Sequence, residues 1–137
     1  SIYRDVNDRL TEEDIRMMNP LSLAFIGDAV YEVLVRTWIL RRGLSPHELH
    51  RKSAKYVRAS GQVDFYEKLK DHLSAEEKVI IKRGRNTKSH TVPKNADVNE
   101  YRWASGVEAL IGHLYLMGEE ERIGELFSIA FGPGMEE

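Results

Sequence analysis

The chain has 137 residues, of which 42% are hydrophobic and 31% charged, with a formal net charge of −2 and no cysteine. This length and balance are typical of one globular domain over residues 1–137 and exclude a disordered chain. The absence of cysteine excludes disulfides and thiolate ligands and fits a reducing compartment. No charged-then-apolar signal peptide opens the sequence, so we expect a cytoplasmic protein.

Capping residues and apolar spacing predict helices throughout the chain, and no stretch alternates with period two for long enough to form a strand. Residues 1–10 show weak periodicity and are expected to form a loose arm. Helices are predicted, in order, from Thr11 to the Asn19-Pro20 pair, Leu21 to Leu40, 46 to 59, 62 to 71, Ser74 to about Arg83, Asp97 to Gly118, and 123 to 130. Residues 84–96 are rich in Gly, Pro, Asn, Ser and Thr and are predicted to form a loop. The predicted fold class is all-α.

The predicted helix Leu21–Leu40 is the one around which the others are expected to pack, because fourteen of its twenty residues are apolar. A helix that is apolar on almost every face is expected to lie in the core. Its three charged residues, Asp28, Glu32 and Arg36, are spaced four apart and form one polar stripe, which argues against a membrane span. Gly27 stands beside Asp28, although glycine weakens a helix interior by about 1 kcal/mol relative to alanine.

The predicted helix from Asp97 to Gly118 repeats this combination, with Glu108 among apolar residues and Gly112 one turn further on. If the two polar stripes face each other, Asp28 and Glu108 meet where the dielectric is low. That arrangement is unfavourable unless one carboxyl is protonated or a cation lies between them. Oxygen ligands without cysteine favour a hard cation such as Mg²⁺, which takes one or two carboxylates plus substrate phosphates.

Basic residues gather in two runs despite the negative net charge. Seven Lys and Arg against one acid lie between Arg36 and Arg58, and five with no acid lie between Lys82 and Lys94. A polyanionic substrate would match these runs, because phosphates supply both a charge partner and metal ligands. The alternative is that the runs are only solvated and that the acids only pair with bases, as Glu32 could with Arg36.

Several separated segments resemble ribonuclease III domains. Phe25-Ile-Gly-Asp-Ala-Val resembles their signature helix, and Val107-Glu-Ala-Leu-Ile-Gly resembles their second acidic motif. The resemblance also covers Lys82-Arg-Gly-Arg-Asn-Thr-Lys-Ser and Pro93-Lys-Asn. Together with the short length, these segments are similar to the Mini-ribonuclease III family, bacterial enzymes made of the catalytic domain alone.

The resemblance implies a ribonuclease III endonuclease-domain-like helical fold and a homodimer with a valley for double-stranded RNA. It also implies Mg²⁺-dependent cleavage, chiefly in trimming the ends of the large-subunit (23S) ribosomal RNA precursor, where a ribosomal protein could act as an accessory. Asp28 and Glu108 take the places of the catalytic, metal-binding acids, and Glu32 is a further candidate ligand. The apolar faces of the signature helix would then serve the core and the dimer contact. The residues expected to grip RNA are Lys82, Arg83, Arg85, Lys88 and Lys94.

The sequence departs from ordinary ribonuclease III, which has further acids where this chain has Leu21, Ala24 and Ser105. A catalytically silent ribonuclease III-like dimer that binds structured RNA or ribosomal particles is therefore the alternative function. Ordinary ribonuclease III also carries a double-stranded-RNA-binding domain, for which none of the 137 residues is left over. RNA affinity is therefore expected to come from the basic surface of the catalytic domain, with modest sequence selectivity.

Overall fold

The structure, a computed structural model, describes residues 2–40, 43–87, 92 and 94–132. Over these residues the chain forms eight α-helices and a 3-10 turn and no strand, which confirms the all-α prediction. The elements are α1 (Ile2–Asp5), α2 (Glu12–Arg16), α3 (Pro20–Ile39), α4 (Pro46–Val57), α5 (Ala59–Leu69), the 3-10 turn (Lys70–His72), α6 (Ala75–Asn86), α7 (Val98–Leu116) and α8 (Glu120–Phe131). No helix in this part of the chain has the length and apolar content needed to cross a membrane.

The helix starts follow the capping residues in the sequence. Thr11, Ser45 and Ser74 each accept a hydrogen bond, of 3.0 to 3.1 Å, from the backbone N–H of the third residue of the following helix. The carboxylate of that third residue accepts a bond from the N–H of the cap in return. At the start of α7, Asp97 accepts a bond of 2.9 Å from the N–H of Asn99. These bonds satisfy N–H groups that would otherwise lack an intrahelical partner.

Helix α7 lies at the centre of the molecule, where it packs along α3, α6 and α5. Its residues Ala109, Leu110 and Ile111 are each at most 1% exposed, so three consecutive positions around the helix are buried. A helix buried on this many sides needs apolar side chains almost all the way round. This confirms that the second predicted helix with a buried acid is central.

Helix α3 is buried on one face only, which corrects the expectation, drawn from its apolar composition, of a helix in the middle of the core. Tyr31 and Val35 are 0% exposed, whereas Phe25 is 82% and Val33 is 62% exposed. Helix α7 covers the first face, and the face that carries Phe25 and Val33 is open. The apolar composition of α3 therefore reflects two apolar surfaces, one of which is not covered by any described residue.

Helix α6 extends to Asn86, beyond the predicted end near Arg83. Gly84 does not end the helix, because it is a position of close contact: a Cβ on it would lie 2.8 Å from the Cα of Gly106 on α7. The predicted loop 84–96 therefore starts after Asn86. Residues 88–91 and 93 of that loop, including Lys88, lie outside the described residues.

The junction between α4 and α5 is tighter than predicted, since α4 ends at Val57 and α5 begins at Ala59. Gly61 lies in the first turn of α5 and does not interrupt the helix. A Cβ at Gly61 would overlap the carbonyl oxygen of Lys55, so the glycine lets the two helices meet closely. Glycine marks a close approach here, as it does at Gly84.

Part of the segment expected to be a loose arm is helical. Residues 2–5 form α1, and Arg4 lies 3.4 Å from a carboxylate oxygen of Glu120 at the start of α8. The pair is partly exposed, so its contribution to stability is small, of the order of 0–1 kcal/mol.

Candidate active site

Two glycines allow the backbones of α3 and α7 to touch. A Cβ on Gly27 would overlap the carbonyl oxygen of Glu108, and a Cβ on Gly112 would overlap the carbonyl oxygen of Leu23. Only a residue without a side chain fits at either position. Because Asp28 follows Gly27 directly, this contact brings Asp28 beside Glu108. The glycine that weakens the helix in isolation is thus required where the two helices cross.

Asp28 and Glu108 line the same open cleft, which has a volume of about 500 Å³. Asp28 is exposed at its rim, and Glu108 is half-buried. Burial raises the pKa of Glu108 well above its usual value; a hydrogen bond from Gln62 opposes this rise, and the neighbouring Asp28 carboxylate adds to it. The juxtaposition predicted from the two polar stripes is therefore present.

The donor set of this cleft suits a hard divalent cation. Two carboxylates close together in a partly desolvated site repel each other, and a cation between them would remove the repulsion. Within the described ranges no three His, Asp or Glu side chains are grouped so that they could hold a metal. A cation here would therefore take its other ligands from water or from substrate phosphate, which is the usual situation for Mg²⁺.

Gln62 contacts one of the two candidate acids and is not among the site residues predicted from the sequence. It is 2% exposed, and its Nε2 donates hydrogen bonds to the carbonyl oxygen of Val57 at 2.8 Å and to Oε2 of Glu108 at 3.1 Å. Both N–H groups of the amide are therefore used, and one of them orients the acid. The sequence does contain a signal for the burial of Gln62: its helical spacing from Phe65 and Leu69 places all three residues on the inward face of α5.

Glu32 is placed with Arg36 and not in the cleft. Its Oε1 lies 2.6 Å from Nη2 of Arg36, one turn further along α3. Leu21, Ala24 and Ser105 line the cleft instead and give it an apolar and hydroxyl-bearing wall; these are the positions at which the sequence departs from the ribonuclease III pattern. Ser105 donates its hydroxyl to the carbonyl oxygen of Tyr101 at 3.1 Å.

The predicted RNA-binding residues on α6 lie close to the start of α3. Lys82 and Arg83 are exposed and share a surface cleft with Pro20, whose neighbour Leu21 lines the carboxylate cleft. Arg85 is half-buried, and Lys94 is exposed in the loop. Among the described residues, none of these four basic side chains has an acidic partner within 4 Å.

Comparison with known families and structures agrees with this geometry. Residues 21–119 match the Ribonuclease III domain family. A crystal structure of a Fusobacterium nucleatum protein superposes with a TM-score of 0.76 at 39% identity, covering 85% of this chain and 93% of that one. The fold and the match define a ribonuclease III-type endoribonuclease, a hydrolase of RNA.

Two curated relatives narrow the assignment. Mini-ribonuclease 3 of Thermoanaerobacter sp. (strain X514) is 47% identical over 129 residues, which cover 93% of this chain and 91% of that protein. Mini-ribonuclease 3 of Staphylococcus aureus is 46% identical over 124 residues, covering 88% and 92%. The chain belongs to the Mini-ribonuclease 3 family.

Proposed function

We propose that the chain hydrolyses double-stranded RNA with Mg²⁺ and that Asp28 and Glu108 are its catalytic, metal-binding residues. The observation that carries the proposal is the meeting of the two carboxylates in one open cleft, at a helix crossing that only glycine permits. The chemistry that Mg²⁺ supplies when bound is polarisation of the phosphate and a lowered pKa of a water ligand. Gln62 holds one oxygen of Glu108, which orients that carboxylate in the cleft.

Basic residues beside the cleft are proposed to hold the RNA backbone. Lys82 and Arg83 project from α6 next to the start of α3, and their charges have no acidic partner among the described residues. Lys88 and Lys94 belong to the same run, and we assign them the same role. Phosphate contacts of this kind position a duplex without reading its sequence.

Cleavage of a blunt RNA duplex with and without Mg²⁺ tests the proposal. Endonucleolytic products that appear only with the metal are expected. Tight binding of the duplex without cleavage in Mg²⁺ or Mn²⁺ would instead favour the catalytically silent RNA-binding dimer. The observation that favours this second function is the apolar wall of Leu21 and Ala24, because among the described residues it leaves two acids lining the cleft.

We propose the ends of the large-subunit (23S) ribosomal RNA precursor, in the cytoplasm, as the substrate. A-form RNA is read mainly by shape and 2′-hydroxyls, so the basic surface alone gives modest selectivity. A ribosomal-protein accessory bound to the precursor would supply the remaining selectivity for the cleavage site. Cleavage of the precursor stem, compared with a shuffled duplex of equal length and with or without ribosomal proteins, tests this assignment. Equal rates on both duplexes under all conditions would contradict it.

We propose that the open face of α3 forms the interface of a homodimer. Apolar side chains of α3 and α8 line a groove of about 600 Å³ on this face: Ile26, Val30, Val33, Leu34 and Ile123. Phe25 joins this apolar surface and also lines the carboxylate cleft. A second copy seated here would cover the exposed apolar area and bring its own cleft alongside the first.

Val33→Glu is expected to convert the dimer to a monomer, because it would bury a charge without a partner in the interface. Molar mass from light scattering measures the change. The matched control is Val79→Glu, since Val79 is also a half-exposed valine, at 55%, but lies on α6. A dimer that survives Val33→Glu, or that is lost equally in both variants, would contradict the interface.

Gln62→Met is expected to raise the Mg²⁺ concentration needed for half-maximal cleavage by roughly 10- to 100-fold, because Glu108 loses the donor that orients it. Tyr31→Phe is the matched control. The Tyr31 hydroxyl donates to the carbonyl oxygen of Tyr56 at 2.9 Å, so this variant loosens the same helix junction without removing a bond to Glu108. Equal metal requirements in the two variants would show that Gln62 serves only the junction.

A further inference from the structure

A second cleft lies between α5, α6 and α7, away from the carboxylates. It has a volume of about 190 Å³ and is lined by Tyr66, Lys78, Ile81, Lys82, Arg85 and Trp103. None of these residues lines the carboxylate cleft. Trp103 is five residues before Glu108 on α7, which places it roughly 140° around the helix axis. This aromatic cleft is therefore a separate surface feature.

The floor of the aromatic cleft is built from flat groups. The ring centroids of Tyr66 and Trp103 are 4.4 Å apart with the planes tilted by 37°. The guanidinium carbon of Arg85 lies 4.8 Å from the Trp103 centroid. All three side chains are half-buried, so each is held in place and still reaches the surface. Stacked aromatic and guanidinium groups of this kind are surfaces on which nucleobases stack.

The wall of the aromatic cleft is positively charged. Lys78, Lys82 and Arg85 follow one another at i, i+4 and i+7 and so lie on one face of α6. No acidic residue lines the cleft, and none of the three forms an ion pair within the described part of the chain. Three unneutralised cations on one helix face attract an anion. A nucleotide combines such an anion, its phosphate, with a flat base that can stack on the aromatic groups.

We propose that the aromatic cleft binds an unpaired nucleotide in a single-stranded segment that flanks the duplex. The inference rests on the proposed function and specifies its substrate as a duplex with a single-stranded extension. A polymer fits better than a free nucleotide because Lys82 also lines the neighbouring cleft with Arg83 and Pro20. Cationic side chains thus continue from the aromatic cleft towards the start of α3, and a strand following them meets phosphate-binding groups on both sides of Lys82.

Tryptophan fluorescence gives a direct test, because the chain has two tryptophans and only Trp103 lines the aromatic cleft. In Trp38→Phe, Trp103 is the one remaining tryptophan, and excitation at the long-wavelength edge of the tryptophan band avoids emission from the six tyrosines. Adding a single-stranded RNA hexamer in EDTA is expected to quench it, and adding AMP at equal nucleotide concentration is expected to quench it much less. Unchanged fluorescence with the hexamer would overturn the site, and equal affinity for AMP would overturn the preference for a strand.

The second arm compares a duplex bearing a short single-stranded tail with the blunt duplex, both in EDTA. The tail is expected to tighten binding by roughly tenfold, as base stacking on aromatic side chains predicts. Trp103→Leu is expected to remove that gain, whereas Lys68→Gln, which neutralises an exposed lysine outside the cleft, is expected to keep it. The readout is the ratio of the affinities for the tailed and the blunt duplex in each variant. A general loss of stability or charge weakens both affinities and so cancels in this ratio.

A tail that brings no gain in the wild-type chain, or a gain that survives Trp103→Leu, would overturn the inference. The proposed function is judged separately, by metal-dependent cleavage of the blunt duplex, which needs no tail. Cleavage of the blunt duplex without a tail effect would refute nucleotide binding by the aromatic cleft but would keep the assignment as a nuclease. A tail effect without cleavage would support nucleotide binding by the aromatic cleft and would refute the nuclease assignment in favour of an RNA-binding protein.

Discussion

Asp28→Asn is expected to reduce cleavage of double-stranded RNA by roughly 10³-fold or more while leaving the fold and duplex binding largely intact. The amide has nearly the same shape as the carboxylate, and Asp28 lies exposed at the cleft rim, so folding loses little. What is lost is the negative charge of one of the two acids that would hold the cation. Single-turnover cleavage in excess Mg²⁺, with circular dichroism and a filter-binding assay alongside, measures the three quantities.

Glu32→Gln is the control for this experiment, because it makes the same charge change one helical turn further along α3. Glu32 is bound to Arg36 on a partly exposed surface, where an ion pair contributes about 0–1 kcal/mol. Its cleavage rate is therefore expected to stay within about threefold of the wild type. A wild-type rate in Asp28→Asn would refute the assignment of the site. A large loss in both variants would make Glu32 a metal ligand as well.

Gly27→Ala is expected to destabilise the fold by about 2–4 kcal/mol, the high end of the cost of overpacking a core. The new methyl group would overlap the carbonyl oxygen of Glu108, and backbone atoms cannot turn aside as a flexible side chain can. The two helices would have to separate, which would also move Asp28 away from Glu108. Urea unfolding followed by circular dichroism measures the free energy of unfolding.

The control for Gly27→Ala is Gly124→Ala on α8, where an added Cβ meets no atom within 4 Å. There the same substitution is expected to stabilise a single subunit by up to about 1 kcal/mol, because alanine favours the helix and no described residue of the same chain obstructs it. Gly124 lines the proposed dimer groove, so both glycine variants are compared in the Val33→Glu background. Two glycines within helices should thus respond with opposite signs. Comparable stability in both variants would mean that α3 and α7 do not approach as closely as the glycine contacts indicate.

Features fixed by short-range chemistry could be predicted from the sequence. The caps at Thr11, Ser45, Ser74 and Asp97 mark helix starts because each needs only the residues two or three positions further on. The all-α fold follows from those starts and from apolar spacing. The proximity of Asp28 and Glu108 could be predicted for a different reason. Two acids in very apolar helices have few favourable environments other than a shared polar site.

Features that depend on which surfaces meet could not be predicted. Phe25 and Val33 have the same apolar character as the buried residues of α3, and periodicity does not distinguish a core face from an open apolar face. The sequence predicts a loop from Gly84 onwards, because a glycine that breaks a helix and one that admits a neighbouring backbone look alike in a sequence. Gln62 contacts Glu108 across 46 positions of the chain, and no local pattern encodes that contact.

Helix α7 touches its two main neighbours through glycines, at Gly112 against α3 and at Gly106 against α6. Its distance from each is consequently fixed by main-chain atoms, whose size no mutation changes. During evolution, apolar side chains elsewhere in the core can be exchanged for others of similar volume without altering the spacing between the acidic cleft and the basic face of α6. The distance between the candidate carboxylates and the basic face of α6 is thus set by a few glycines, while other core positions tolerate exchanges that keep their volume.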